Sequence, residues 1–213
     1  MKLSNPLIIF DLECTSNQET SASRPKKQEN NYIIEIGAVI LDTNLKIKGQ
    51  FSSLVRPEEK ITPFIEQHTG ITNNMVRNED LWPDVASKFH SWVEKNVDKG
   101  FKNARLAAWG NYFDITVLKA MYDKYDMTYP FSGTAFDCKT IAGMWLALSG
   151  RGTNKMSLGH VASVVNVEPE GKYHRALTDA MVTAKIVRRS MEDLSEGYFL
   201  KQNNGSYRHI KIK

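Results

Sequence analysis

The chain has 213 residues, 41% apolar and 24% charged, which excludes a disordered chain and suits one domain with a sizeable core. Its N-terminal apolar stretch, Leu7–Phe10, is broken by Asp11, and Cys14 and Cys138 are the only cysteines, so no secretory leader, membrane span, disulfide framework or zinc set is expected, and the default compartment is a reducing cytoplasm. The net charge is +4, and Lys201, Arg208, Lys211 and Lys213 meet no acid beyond Glu196; residues 1–196 are formally neutral, and 197–213 reads as a basic tail, a frayed terminus able to attract phosphate.

Leu7–Glu13 is the first periodic segment. Both of its faces are apolar until the acids at its end, which predicts a central strand. Ser16–Asn31 is polar and reads as a loop; its Arg24, Lys26 and Lys27 would suit backbone phosphate or solvent. Tyr32–Leu41 is β-rich, Asp42-Thr43-Asn44 is turn chemistry, and Leu45–Val55 is its antiparallel partner. A connecting region follows, with a helix start at Thr62-Pro63 and a turn at His68–Thr72.

Asp80 and Pro83 mark a helix start, and Val85, Phe89, Trp92 and Val93 repeat at helical spacing. Arg105–Trp109 predicts a strand, Asn111–Asp126 a helix, Thr134–Asp137 a strand and the residues through Leu148 a helix. Ser157–Val165 predicts a short helix, and a long one runs from Ala176 to Leu194. Three strands, followed by strands alternating with helices, predict an α/β domain with a mixed sheet.

The acids fall at element ends. Asp11 and Glu13 share one face of the first strand, because side chains alternate with period two. Two carboxylates pointing the same way repel unless a hard cation lies between them. Asp114 opens a helix after a strand, where an acid is also ordinary helix-terminus electrostatics. His174 precedes the last helix, and Asp179 lies in its first turns. A loop histidine beside a fixed carboxylate suits proton transfer near neutrality. Each motif alone fits a solvated element end. Together they match a site in which two cations clamp the attacking and leaving oxygens of a phosphodiester.

Asp11-Leu12-Glu13, Phe113-Asp114 and His174-(four residues)-Asp179 resemble the three exonuclease motifs of the DEDDh, or DnaQ-like, 3′–5′ exonucleases. The resemblance spans Leu7–Leu194. Val55-Arg56-Pro57, Thr69-Gly70-Ile71-Thr72 and Leu81-Trp82-Pro83-Asp84-Val85 are most similar to the exoribonuclease branch, which includes the three-prime histone mRNA exonuclease and the enhanced-RNAi proteins.

The resemblance implies an RNase H-like fold, a five-stranded mixed sheet with helices on both faces. It implies two Mg²⁺ or Mn²⁺ ions and release of nucleoside 5′-monophosphates from a single-stranded 3′ end, with RNA favoured and DNA the alternative. By position, Asp11, Glu13, Asp114 and Asp179 would bind metal. His174 would be the general base, with Glu13 beside it in catalysis. Leu12, Cys14 and Thr15, through backbone, and the Phe113 side chain would border the terminal nucleotide. Trp82, Trp92, Trp109 and Tyr112 could stack bases, although helical spacing favours the core for Trp92, and Trp109 ends a strand. Glu35, an acid in an apolar strand, suits either support of the site or a structural hydrogen bond. A non-catalytic nucleic-acid-binding module on the same fold is the competing class.

Overall fold

The computed structural model describes residues 2–15, 31–131, 134–201 and 207–211, with backbone alone beyond Ser195. The loop expected to carry Arg24, Lys26 and Lys27 lies outside the described residues. One sheet contains β1 (Leu7–Cys14), β2 (Ile33–Leu41), β3 (Ile47–Leu54), β4 (Arg105–Ala108) and β5 (Phe136–Asp137) in the order β3-β2-β1-β4-β5. The first three strands are antiparallel, and β4 and β5 join parallel to β1. This is the mixed α/β sheet expected from the element order.

The helices are α1 (Pro63–Thr69), α2 (Asn73–Val76), α3 (Trp82–Asn96), α4 (Tyr112–Lys124), α5 (Cys138–Leu148), α6 (Leu158–Val164) and α7 (Ala176–Glu196). β1 is central and covered on both faces, which is why its sequence is apolar at odd and even positions. Its even residues Ile8, Phe10 and Leu12 pack with Trp82, Val85 and Phe89 of α3 and Val117, Leu118 and Met121 of α4. Its odd residues Leu7 and Ile9 pack with Ala180, Ala184 and Val187 of α7. A satellite core joins Trp145 of α5 and Val161 of α6 to Val182 and Ile186 of α7. By contrast, β3 alternates half-buried and exposed residues along most of its length, as an edge strand covered on one face does.

Local chemistry sets several element ends. Thr62 caps α1 by accepting a hydrogen bond from the Ile65 N–H, Pro63 occupies its first turn, and Gly70 closes it in the left-handed region at φ 72°. The short α2 was not anticipated by helical periodicity, because a four-residue helix offers no repeat to read. Backbone pairing also extends into the basic terminus, where β6 (Gly197–Lys201) and β7 (Tyr207–Lys211) form a separate antiparallel ribbon instead of the frayed end expected from charge.

Candidate active site

Three element ends meet at one side of the sheet. β1 pairs with β4 only through Leu7, Ile8 and Ile9, so its last residues extend beyond β4. Asp11 and Glu13 lie on this projecting end, opposite Gly37 and Glu35 of β2. Asp114 enters from the first turn of α4 and Asp179 from the first turn of α7. Glu13, His174 and Asp179 each offer a ligand atom, and these atoms lie within 4.8 Å of one another. Asp11 and Asp114 complete the acidic wall: Asp114, Glu13 and Asp179 all act electrostatically on Asp11.

The junction before α4 is pinned from β5. Asp137 caps α5 and also accepts a hydrogen bond from the Gly110 N–H at 3.0 Å, while the Asn111 amide donates to the Ala135 carbonyl at 2.9 Å. Gly110 adopts φ 73°, a left-handed turn that favours glycine. The chain is thereby aimed so that Asp114 points inward and Tyr112 outward: Asp114 is buried, whereas Tyr112 is 79% exposed.

Burial and mutual repulsion oppose ionisation of these acids. Desolvation first, then the Asp114, Glu13 and Asp179 charges, holds the Asp11 carboxyl well above its ordinary value. Burial, reinforced by Asp179, Glu35 and Asp114, pushes Glu13 up to about 8, with Arg175 as an opposing cation. Burial raises Asp114 to about 7 against backbone hydrogen bonds from its own N–H and that of Leu12. Burial raises Asp179 to about 6 against a hydrogen bond from the His174 N–H. One Asp179 oxygen accepts from that N–H at 3.2 Å, and its buried Oδ1 has no partner among the described residues. An orphaned buried carboxylate oxygen beside Glu13 and His174 fits a divalent cation, which would supply the missing partner and the missing positive charge.

His174 is exposed and stands on a backbone at φ 60°, outside the range most side chains adopt. Its ring lies 3.9 Å from that of His68 at the end of α1, which in turn stacks on Phe64 at 6.0 Å. Burial and the neighbouring His174 lower the His68 pKa. In the sequence His68 reads only as part of a turn; no periodic or motif signal marks a histidine at a helix end as a neighbour of His174. The residues expected at the terminal nucleotide divide by exposure. Leu12 and Cys14 send their side chains into the core, and Phe113 is 38% exposed. Thr15 uses its N–H and its hydroxyl to pair with the Tyr32 backbone. Of the aromatics considered for stacking, Trp82 is fully buried, Trp92 packs against Phe51 and Phe89, and the Trp109 indole donates to the Met156 carbonyl. Tyr112 alone of the four is open.

An exonuclease family model, RNase_T, matches residues 8–187. The chain belongs to this exonuclease family.

This is the DEDDh, DnaQ-like family that the three motifs resemble. The chain is 28% identical over 210 residues to the DNA polymerase III subunit epsilon of Aquifex aeolicus, covering 98% of this chain and 90% of that one. It is 28% identical over 190 residues to the 3′–5′ exonuclease DinG of Bacillus subtilis, covering 89% of this chain and 18% of that one. It is 29% identical over 194 residues to a PolC-type DNA polymerase III of Caldanaerobacter subterraneus, covering 91% of this chain and 12% of that one. The chain thus spans less than a fifth of the length of the first curated relatives it matches. Among solved structures, the nuclease domain of 3′hExo bound to rAMP superposes with a TM-score of 0.74 at 22% identity, covering 98% of both chains. Exonuclease X in complex with duplex DNA superposes with a TM-score of 0.61 at 22% identity, covering 87% of this chain and 91% of that one. These likenesses establish the RNase H-like fold for this exonuclease-family chain.

The raised acids make a pH prediction. A carboxyl whose folded pKa lies above its unfolded value contributes stability that is complete below the unfolded pKa and lost as pH rises through the folded one. The ordinary values near 4 and the folded values for Asp179, Asp114 and Glu13, about 6, 7 and 8, place that loss between about pH 4 and pH 8. In chelator, the melting temperature should therefore fall across that interval. Mn²⁺ should raise it more at pH 8 than at pH 6, because cation and protons compete for the same oxygens. A chelator profile that is flat or rises with pH would contradict the proposed convergence of acids.

Proposed function

We propose that this chain is a metal-dependent 3′–5′ exonuclease that hydrolyses single-stranded nucleic acid to nucleoside 5′-monophosphates. The carrying observation is the convergence of Glu13, His174 and Asp179, whose ligand atoms lie within 4.8 Å of one another beside Asp11 and Asp114. In this reading Asp11, Glu13, Asp114 and Asp179 hold two Mg²⁺ or Mn²⁺ ions. Bound there, the ions would supply positive charge against the acidic wall and against the charge that develops on the reacting phosphate.

His174 takes the proton of the attacking water, whose oxygen forms a bond to phosphorus. The bond from phosphorus to the 3′-oxygen of the penultimate nucleotide breaks, that oxygen takes a proton from solvent, and His174 returns to solvent the proton it accepted. Glu13 lies beside His174 and orients the water. The Phe113 ring and the backbone at Leu12–Thr15 border the terminal nucleotide, and Tyr112 offers an exposed face to a base. Both cysteines are free and buried, which suits a reducing compartment such as the cytoplasm. No described helix is long and apolar enough to cross a membrane.

RNA is the favoured substrate, on Val55-Arg56-Pro57 and the Leu81–Val85 segment that resemble the exoribonuclease branch. DNA is the second reading, favoured by curated relatives named for DNA polymerases. The two differ in contacts to the 2′-hydroxyl. The test is a gel time course with matched 5′-labelled single strands of RNA and DNA, in Mg²⁺, Mn²⁺ or chelator. A descending ladder is expected, faster on RNA and absent in chelator. His174→Ala should slow it by about 10²–10⁴-fold, the range for a lost general base. A ladder faster on DNA would transfer the proposal to DNA. No ladder on either strand would end the exonuclease reading.

A further inference from the structure

We propose that Glu35 and Arg175 act as a positioning pair that sets the His174 backbone and the start of α7 for catalysis; the inference rests on the exonuclease reading above. Glu35 is 1% exposed and lies opposite Glu13 across the β1–β2 ladder. An unpartnered carboxylate there would be strongly disfavoured. Its oxygens accept three hydrogen bonds from the Arg175 guanidinium, from Nε at 3.1 Å to each and from Nη2 at 2.6 Å to Oε1. Oε2 also accepts from the Ala176 N–H at 2.9 Å. α7 has no side-chain cap of its own, so a carboxylate from β2 satisfies its first N–H.

Three consecutive residues are thereby fixed. The His174 N–H is held by Asp179, the Arg175 side chain by Glu35, and the Ala176 N–H by Glu35. His174 itself sits at φ 60°. A strained backbone persists where its surroundings over-determine it, and such strain clusters at working sites. The planar guanidinium supplies a two-pronged grip that a lysine ammonium cannot reproduce. The pair therefore does more than bury a charge: it presents His174 beside Glu13 and Asp179.

The test measures kcat and KM on a labelled single strand in saturating Mn²⁺, with melting temperature and amide hydrogen exchange at residues 174–179. The variants are Arg175→Ala, Arg175→Lys, Glu35→Gln and the double variant Glu35→Gln/Arg175→Ala. Arg175→Ala should lower kcat by about 10–100-fold, as loss of an outer-shell partner does, leave KM nearly unchanged and speed exchange at 174–179. Lysine should recover little of the rate, and the double variant should be no slower than the slower single one. Should Arg175→Ala fail to fold, Arg175→Lys carries the same readouts. An unchanged kcat, full rescue by lysine, or a raised KM at constant kcat would overturn the proposal, the last by making Arg175 a substrate contact. An inactive wild type would instead sink the exonuclease reading; unaltered exchange in the variants would then overturn the positioning role separately.

Discussion

Asp11→Asn is expected to reduce turnover by at least about a thousandfold, the scale of removing a group that organises transition-state charge, while leaving strand binding within a few-fold of wild type. The substitution keeps the shape of the side chain and deletes one charge from a wall shared with Asp114, Glu13 and Asp179. Burial, then those neighbours, already holds the Asp11 carboxyl well above its ordinary range, so ionising it costs the fold stability. The same variant should accordingly melt higher than wild type in chelator at pH 8. Gel assays, fluorescence anisotropy with a labelled strand and thermal melts read the three outcomes. A wild-type rate in Asp11→Asn would point to a contaminant or a misplaced site. Equal inactivity in wild type and variant, with binding retained, would favour the non-catalytic binding module.

Gly37→Ala should destabilise the protein by about 3 kcal/mol, at the upper end of ordinary core overpacking, and should reduce activity in the fraction that remains folded. Gly37 faces Asp11 in the β1–β2 register, and a methyl group there would meet the Leu177 nitrogen at 2.1 Å and the Ala176 carbonyl carbon at 2.2 Å. Both obstructing atoms are backbone, so no side chain can swing aside. Relief requires the start of α7 to lift from β2, carrying Asp179 away from Glu13. Denaturant melts measure the stability, and rates at equal folded fraction separate misplacement from unfolding. A melting curve like that of wild type would show that α7 does not approach β2 as closely as described. Leu12→Ala, on the opposite face of β1, would cost stability by leaving a cavity and provides a comparison that does not push on α7.

The Arg175 and Gly37 effects share a geometry. β2 carries Glu35 and Gly37 toward α7, one as a grip and the other as clearance. Close approach of strand and helix brings Asp179 within reach of Glu13, and the grip holds His174 at their side. The acids at this site repel, so the alignment depends on neutral packing and on an ion pair whose carboxylate, Glu35, is buried.

Much of this was legible in the residues themselves. The two apolar faces of Leu7–Phe10 announced a strand covered on both sides, and the period-two spacing of Asp11 and Glu13 placed them together. Thr62-Pro63 and Gly70 marked the ends of α1, because capping is a transaction between neighbours in the chain. The order of the five motif residues pointed to the proposed site, since each lies at an element end that short-range pattern locates. Other features left no local trace. α7 carries no cap in its own sequence, because its cap is Glu35, 141 residues away. Arg175 reads as a surface arginine until β2 is placed beneath it. His68 gains its neighbour only when α1 folds over the mouth of the site. By itself the sequence determined the five strands of the main sheet, every α-helix but the four-residue α2 and the inventory of acids, all set by periodicity and adjacent residues. The tertiary structure alone decided which polar groups satisfy one another across the sheet, because a buried carboxylate takes its partner from whichever backbone and guanidinium the packing delivers.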